Sequence, residues 1–358
     1  MGETRRMSVL RRVRGRAAIA GFVAAVVLVA AGTGACGDGD GDGASRSTTM
    51  TTAAGSTGRE GEIVAQVASY ELLAGPGREQ RFLTGLVVSG KGTVVSFGSV
   101  RIEFFYLGTK DKPIDPPQPK SSTTAQFLPI AGQDAAVVAA AAEEGAEPRV
   151  VRPSQGVGVY KADGVEFDQP GFWGARITAK VDGKDVEMDT AFEVVATPSI
   201  PAPGMPAPRT ENPTVAIAGQ NDRSLDSRAG PDSPLPDAEL HGTTIAAAIT
   251  ARQPLVVVVS TPVYCVSMFC GPITDSVAAL AKGKYKGKVA FVHLEVWKDF
   301  EAKQINPAAA EWIQRPGGEA QEPWVFTVGR DGVIADRFDN VASDAELDAA
   351  VQRIVGSG

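Results

Sequence analysis

The chain has 358 residues, of which 43% are hydrophobic, 22% charged and 6% aromatic, so it can bury a sizeable core and is too long for one typical domain. Its 35 Lys and Arg against 42 Asp and Glu give a formal charge of -7, and with six Arg and one Glu in the first 35 residues the remainder is more acidic still, which excludes phosphate-backbone binding as the main task and leaves no nucleic-acid partner expected. The 40 Gly and 24 Pro follow no Gly-X-Y period and mark turns and linkers instead of collagen.

Arg5, Arg6, Arg11, Arg12, Arg14 and Arg16 precede an apolar run from Ala17 to Ala31, followed by Gly32-Thr33-Gly34-Ala35 and then Cys36. A basic start, a short apolar stretch and small residues form the layout of an export signal. The run is shorter than the roughly 20 residues a membrane-spanning helix requires, so a cleaved signal over residues 1–36 is expected. Because the small residues end at a cysteine, the segment resembles the lipobox of bacterial lipoproteins, although Thr33 stands where that motif has Leu. The resemblance implies that Cys36 is the acylated first residue of the mature chain, which would tether it to the extracytoplasmic face of the cell membrane.

Residues 37–60 begin with alternating Gly and Asp and continue with Ser, Thr, Ala and Gly, a composition suited to a disordered acidic tether. Asp38, Asp40, Asp42 and Gly43 imitate the opening of a calcium loop, but Thr49 occupies the position where a closing carboxylate is required.

Between residues 61 and 197 a period of two dominates. Val100, Ile102, Phe104 and Tyr106 alternate with Arg101, Glu103, Phe105 and Leu107, and Asp182-Gly183 supplies a two-residue hairpin turn after the strand through Ala175–Val181. Several such strands predict an all-β immunoglobulin-like sandwich with Tyr160, Phe167 and Trp173 as core anchors. In the stretch Lys110–Pro153 the cluster Pro113, Pro116, Pro117 and Pro119 argues against a central strand, and Ala135–Glu144 reads as a short helix or a loop insertion.

Residues 198–236 are crowded with proline and read as a semi-rigid extended spacer. The last region, 237–358, changes pattern. A helix with Ile245 and Ile249 is expected to stop before Pro254, and Leu255–Val259 is a β-branched run of the kind found in a strand buried on both faces. A helix near Pro272–Lys282 follows, with Ile273, Val277 and Leu280 on one side, then a strand from Val289 to Glu295 and a helix around Ala308–Gln314. Trp324–Val328 and Val333–Phe338 flank a Gly-Arg-Asp-Gly turn as a hairpin. Ser343 and Glu346 form a capping box for the final helix, which carries Leu347, Val351 and Ile354 on one side.

Besides Cys36 the chain has only Cys265 and Cys270, an even pair in a region expected outside the cytoplasm, where a disulfide persists. They frame Cys-Val-Ser-Met-Phe-Cys-Gly-Pro between the buried strand and a helix. With Pro323 just before the next-to-last strand, this arrangement resembles the thioredoxin-like superfamily over roughly residues 240–355, and the whole layout resembles exported actinobacterial thioredoxin-domain lipoproteins. The resemblance implies an α/β domain in which Cys270 is the nucleophile and Pro323 a cis proline beside it. A thiolate at a helix start faces unpaired N–H groups and the positive end of the dipole, which lowers its pKa.

Two departures matter. Ile273 occupies the place of the family's resolving cysteine, so Cys265 takes that role, and the strand Leu255–Val259 carries no acid. The implied activity is thiol-disulfide exchange with envelope protein thiols or disulfides, requiring no cofactor. The competing expectation is a non-enzymatic binding or scaffold protein with Cys265 and Cys270 as a permanent staple. Cys265, Met268 and Cys270 also form a soft-ligand set of the kind Cu(I) takes, whereas His293 lies in an expected strand and reads as a packed core residue. With two histidines in all, His241 and His293, a metal site or a His-dependent hydrolase is disfavoured.

Overall fold

The computed structural model describes residues 58–218, 222–230, 232–265 and 267–356. The signal-type segment, Cys36 and nearly all of the tether lie outside them. Among the described residues no helix is long and apolar enough to cross a membrane.

The N-terminal part is all β apart from one α-helix and a 3-10 turn. It comprises β1 (Ile63–Val67), β2 (Leu72–Leu73), β3 (Gln80–Val88), β4 (Thr93–Ser96), β5 (Ser99–Thr109), β6 (Lys112–Pro113), β7 (Pro119–Pro129), helix α1 (Ala135–Ala141), β8 (Arg149–Val151), β9 (Gly158–Val165), β10 (Gly171–Val181) and β11 (Lys184–Val195). Its strands form one hydrogen-bonded sheet in the order β2-β11-β10-β5-β7-β9-β3-β4-β8. The β10–β11 hairpin turns at Asp182 and Gly183, whose φ values of 48° and 75° are the left-handed pair a two-residue turn of this kind requires.

The sheet folds over its own core. Phe82 on β3 and Phe192 on β11 are far apart in strand order, yet their rings lie 5.1 Å apart, and Phe82 meets Phe104 of β5 edge-on at 5.0 Å. Tyr160, Phe167 and Trp173 are buried in this core, as their strand spacing suggested.

The proline-rich stretch after β5 departs from expectation. Pro119 opens the 11-residue strand β7, where the first position needs no ladder donor, and β7 lies inside the sheet. It pairs with β5 through Gln126 and then with β9 from Gln126 to Pro129, so it joins what would otherwise be two separate layers.

In the C-terminal part the elements are α2 (Val215–Ala218), α3 (Ile245–Thr250), β12 (Leu255–Ser260), α4 (Cys270–Lys282), β13 (Ala290–Glu295), β14 (Trp297–Asp299), β15 (Gln304–Ile305), α5 (Pro307–Ile313), β16 (Trp324–Val328), β17 (Ile334–Asp339) and α6 (Asp344–Gly356). The four-stranded sheet runs β13-β12-β16-β17, with β12 and β13 parallel and the other pairings antiparallel. Every residue of β12 and β13 is buried, as the apolar run Leu255–Val259 requires of a strand covered on both faces, and β13 takes His293 and Glu295 into the interior with it. The capping box forms: Ser343 Oγ accepts from the Glu346 amide at 3.2 Å while Glu346 Oε2 accepts from the Ser343 amide at 2.9 Å.

Within 198–236 the described residues 200–207 form a packed strap. Its prolines keep the backbone extended while Gly204 and Ala207 retain N–H groups, which donate to the carbonyls of Ile334 and Gly332, and Met205 accepts from Ile334. The strap thus runs along β17, buries Ile200 and Ala207 in the core against β12 and β16, and delivers Asp226 to the end of the sheet.

Candidate functional site

Strand β12 ends at Ser260, and the loop that follows carries Cys265 before α4 begins at Cys270. Cys265 and Cys270 are joined by a disulfide, their Cα atoms 6.2 Å apart. Cys270 lies on the stripe of Ile273, Thr274 and Val277, one turn-and-return of the helix, and the whole stripe faces the sheet. The Cys270 carbonyl accepts from Thr274 Oγ1 at 2.7 Å, and Thr274 Oγ1 is 2.6 Å from Ser260 Oγ.

Burial separates the two sulfurs. Cys270 is 0% exposed, whereas Cys265 is half-buried and 3.2 Å from Ser267 Oγ. The start of the helix does not leave Cys270 open to solvent, because position 270 belongs to the apolar face of α4. The spacing 270, 273, 277 carried that signal in the sequence. Of the two residues only Cys265 is partly exposed. Phe269, immediately before Cys270, packs against Leu83, Val157 and Val159 of the β part and Val341, which pins the loop from the other side.

Pro323 is buried, follows a cis peptide bond from Glu322 and accepts from the Asn340 amide through its carbonyl. The sequence pattern gave Glu322 no role. The structure brings one of its carboxylate oxygens within 4.8 Å of both sulfurs, with 6% of the residue exposed. Its Oε2 has no hydrogen-bond partner among the described residues. Burial, reinforced by the nearby Glu295 charge, pushes its carboxyl up to about 7. Its carbonyl accepts from the hydroxyl of Tyr70 at 2.6 Å, a residue of the β part whose ring lies 5.6 Å from Trp324. The only available signal was an acid directly before Pro323.

A second buried polar cluster lies beyond Ser260. Asp226, His241 and His293 are each no more than 3% exposed, and Asp226 Oδ2 is 3.7 Å from His241 Nε2 and 3.4 Å from His293 Nδ1. His293 Nε2 sits 3.1 Å from Ser260 Oγ. Burial would favour a neutral ring at His293, but Asp226 and Glu295 outweigh it and raise its pKa; at His241 burial prevails and lowers it. Burial also works against the Asp226 carboxylate, yet the two histidines and Arg228 hold its pKa well below the usual range. The three donors could hold a cation by type, but Arg228 grips the same carboxylate, with Nη2 to Oδ2 at 2.7 Å and Nε to Oδ1 at 3.0 Å. That guanidinium already supplies the positive charge and opposes a second one at Oδ2. His293 is a packed core residue, as expected from its strand position. Its pairing with His241 and Asp226 was hidden because the three come from separate segments.

The soft-ligand set does not assemble: both cysteine sulfurs are engaged with each other, and Met268 is 54% exposed.

No protein-family model matches the chain, and no curated protein matches it. Among solved structures it is similar to a thiol:disulfide interchange protein of the thioredoxin family from Chlorobium tepidum TLS, at 15% identity and a TM-score of 0.25, over 45% of this chain and 100% of that one. It is also similar to the RIG-5 IG1 homodimer, at 9% identity and a TM-score of 0.17, over 38% of this chain and 99% of that one. Overlaps this loose carry no functional argument, which rests on the site geometry.

Proposed function

We propose that this is an extracytoplasmic, lipid-tethered protein in which an immunoglobulin-like β-sandwich (61–197) precedes a thioredoxin-like domain (237–358) that exchanges disulfides with envelope protein thiols. The observation that carries the reading is the Cys265–Cys270 disulfide at the start of α4 beside Glu322 and Pro323, with one sulfur half-buried and the other enclosed. That asymmetry sets the order of events. A substrate thiolate attacks the Cys265 sulfur, the Cys265–Cys270 bond breaks, and Cys270 leaves as a thiolate facing the amides of the first turn of α4. In the reverse direction Cys270 attacks the mixed disulfide at Cys265 and expels the substrate thiol. These roles exchange the two cysteines relative to the family pattern.

A redox titration of the pair followed by mass tests this. An exchanging pair has a potential above roughly -300 mV, and a permanent staple one below it. The staple reading, a binding or scaffold protein, draws on one observation: Phe269 is clamped between the β part and Val341 next to the buried Cys270. The anchor is tested separately. Cys36→Ala should release the protein to the soluble fraction or stall its processing, and normal cleavage with unchanged membrane retention would remove the lipid anchor from the proposal.

A further inference from the structure

We infer that Glu322 is the proton donor and acceptor for Cys270 during exchange, taking the place of the acid that β12 lacks. The inference rests on the exchange reading and adds the residue that handles its proton. Three geometric facts carry it. A Glu322 carboxylate oxygen is within 4.8 Å of both sulfurs, Oε2 is buried without a hydrogen-bond partner, and Cys270 has no exposure to water that could serve instead. A buried carboxyl without a local donor is costly to keep, and here it faces the one bond whose cleavage creates a buried anion.

The step balances as follows. The attacking thiolate forms a bond to Cys265 Sγ, the Sγ–Sγ bond breaks, and its electron pair stays on Cys270 Sγ. The Glu322 carboxylic acid passes its proton to that sulfur and is left as a carboxylate. On reoxidation the carboxylate takes the proton back as Cys270 attacks the mixed disulfide, and the substrate leaves as a thiolate. Two substrate thiols are the reductant: the second, as thiolate, attacks the substrate sulfur of the mixed disulfide and expels Cys265 as a thiolate, the substrate leaves as its disulfide, and no further electron source is required. A group poised near neutrality suits both directions, and burial places Glu322 there at about 7.

The charged and titratable groups around Glu322 are Glu295 at the end of β13, which raises its pKa, and Tyr70 from the β part, whose hydroxyl is committed to the Glu322 carbonyl. Asp339 and Arg315 hold the Tyr70 backbone, through its amide and its carbonyl. Among the described residues Glu322 Oε2 has no hydrogen-bond partner, cationic or neutral.

The test is reduction of the oxidised protein by dithiothreitol between pH 5.5 and 9, with each rate divided by the concentration of dithiothreitol thiolate. The corrected rate for the natural sequence should be level below about pH 7 and then fall tenfold per pH unit as Glu322 ionises. Glu322→Gln should give a flat profile, roughly 10²-fold slower at pH 6 and converging at pH 9. Glu295→Gln, which leaves Glu322 in place, should move the break to lower pH. The assignment is overturned by a flat profile in the natural sequence, by the same break in Glu322→Gln, or by an unmoved break in Glu295→Gln. Failure of the folded natural protein to be reduced at any pH overturns the exchange reading itself, whereas reduction with a flat profile overturns only the role of Glu322.

Discussion

Glu322 also makes a prediction about stability that is independent of catalysis. Its carboxyl is pushed from 4.5 to about 7 by burial and by Glu295. The folded state therefore holds a proton that the unfolded state has released between those two values, and stability falls as pH rises through that window. Each tenfold difference in proton affinity is worth about 1.4 kcal/mol, so ionised Glu322 costs the fold about 3 kcal/mol once the pH is above 7. The cost is absent below about pH 4.5, where both states are protonated. Glu322→Gln keeps the shape of the side chain and cannot ionise. Relative to the natural sequence the variant should gain about 3 kcal/mol between pH 4.5 and 8, whatever fixed offset the amide introduces. Urea denaturation of both oxidised proteins across that range, followed by tryptophan fluorescence, measures the difference, since Trp324 is buried two residues away. Titrating groups that do not interact with Glu322 contribute equally to both proteins and cancel. Parallel stability curves would refute the reasoning, because they would mean that Glu322 is either hydrated or paired in the folded protein.

Two further outcomes follow from burial and charge. After gentle reduction, iodoacetamide should label Cys265 well ahead of Cys270, read by peptide mass, since Cys265 is partly exposed and Cys270 is buried; equal labelling of a folded protein would contradict the burial of position 270. Asp226→Asn leaves Arg228 and the two histidines without their shared carboxylate and should cost about 3–5 kcal/mol at pH 7 by chemical denaturation. Because Asp226 also raises the His293 pKa against burial, the gap between the two proteins should be widest below the histidine range, shrink as the pH rises through the raised His293 value, and narrow again in strong acid as the Asp226 carboxyl, held well below 3.8, is protonated.

Local chemistry was legible in the sequence because its causes are adjacent in the chain. Asp182 and Gly183 are residues that tolerate the left-handed backbone of a tight hairpin, Ser343 and Glu346 satisfy each other's amides across one turn, and Leu255–Val259 has no polar atom that would need water. The cysteine pair was visible for the same reason: five positions separate Cys265 from Cys270, and the loop between them closes on itself. Even the burial of Cys270 was encoded in its three-and-four spacing to Ile273 and Val277.

Tertiary structure alone decided which groups meet at the site. Tyr70 and Glu322 are 252 positions apart, and Asp226 comes to His293 from a proline-rich strap whose composition suggests a spacer. A buried polar group must find a partner somewhere, but the sequence does not say where, since a carboxylate is satisfied equally by any donor that the packing brings near. Glu322 shows the same limit from the other side. Only the packing of its segment against α4 and β13 leaves it beside a disulfide with an unpaired oxygen, and that placement, not its residue type, is what raises its pKa.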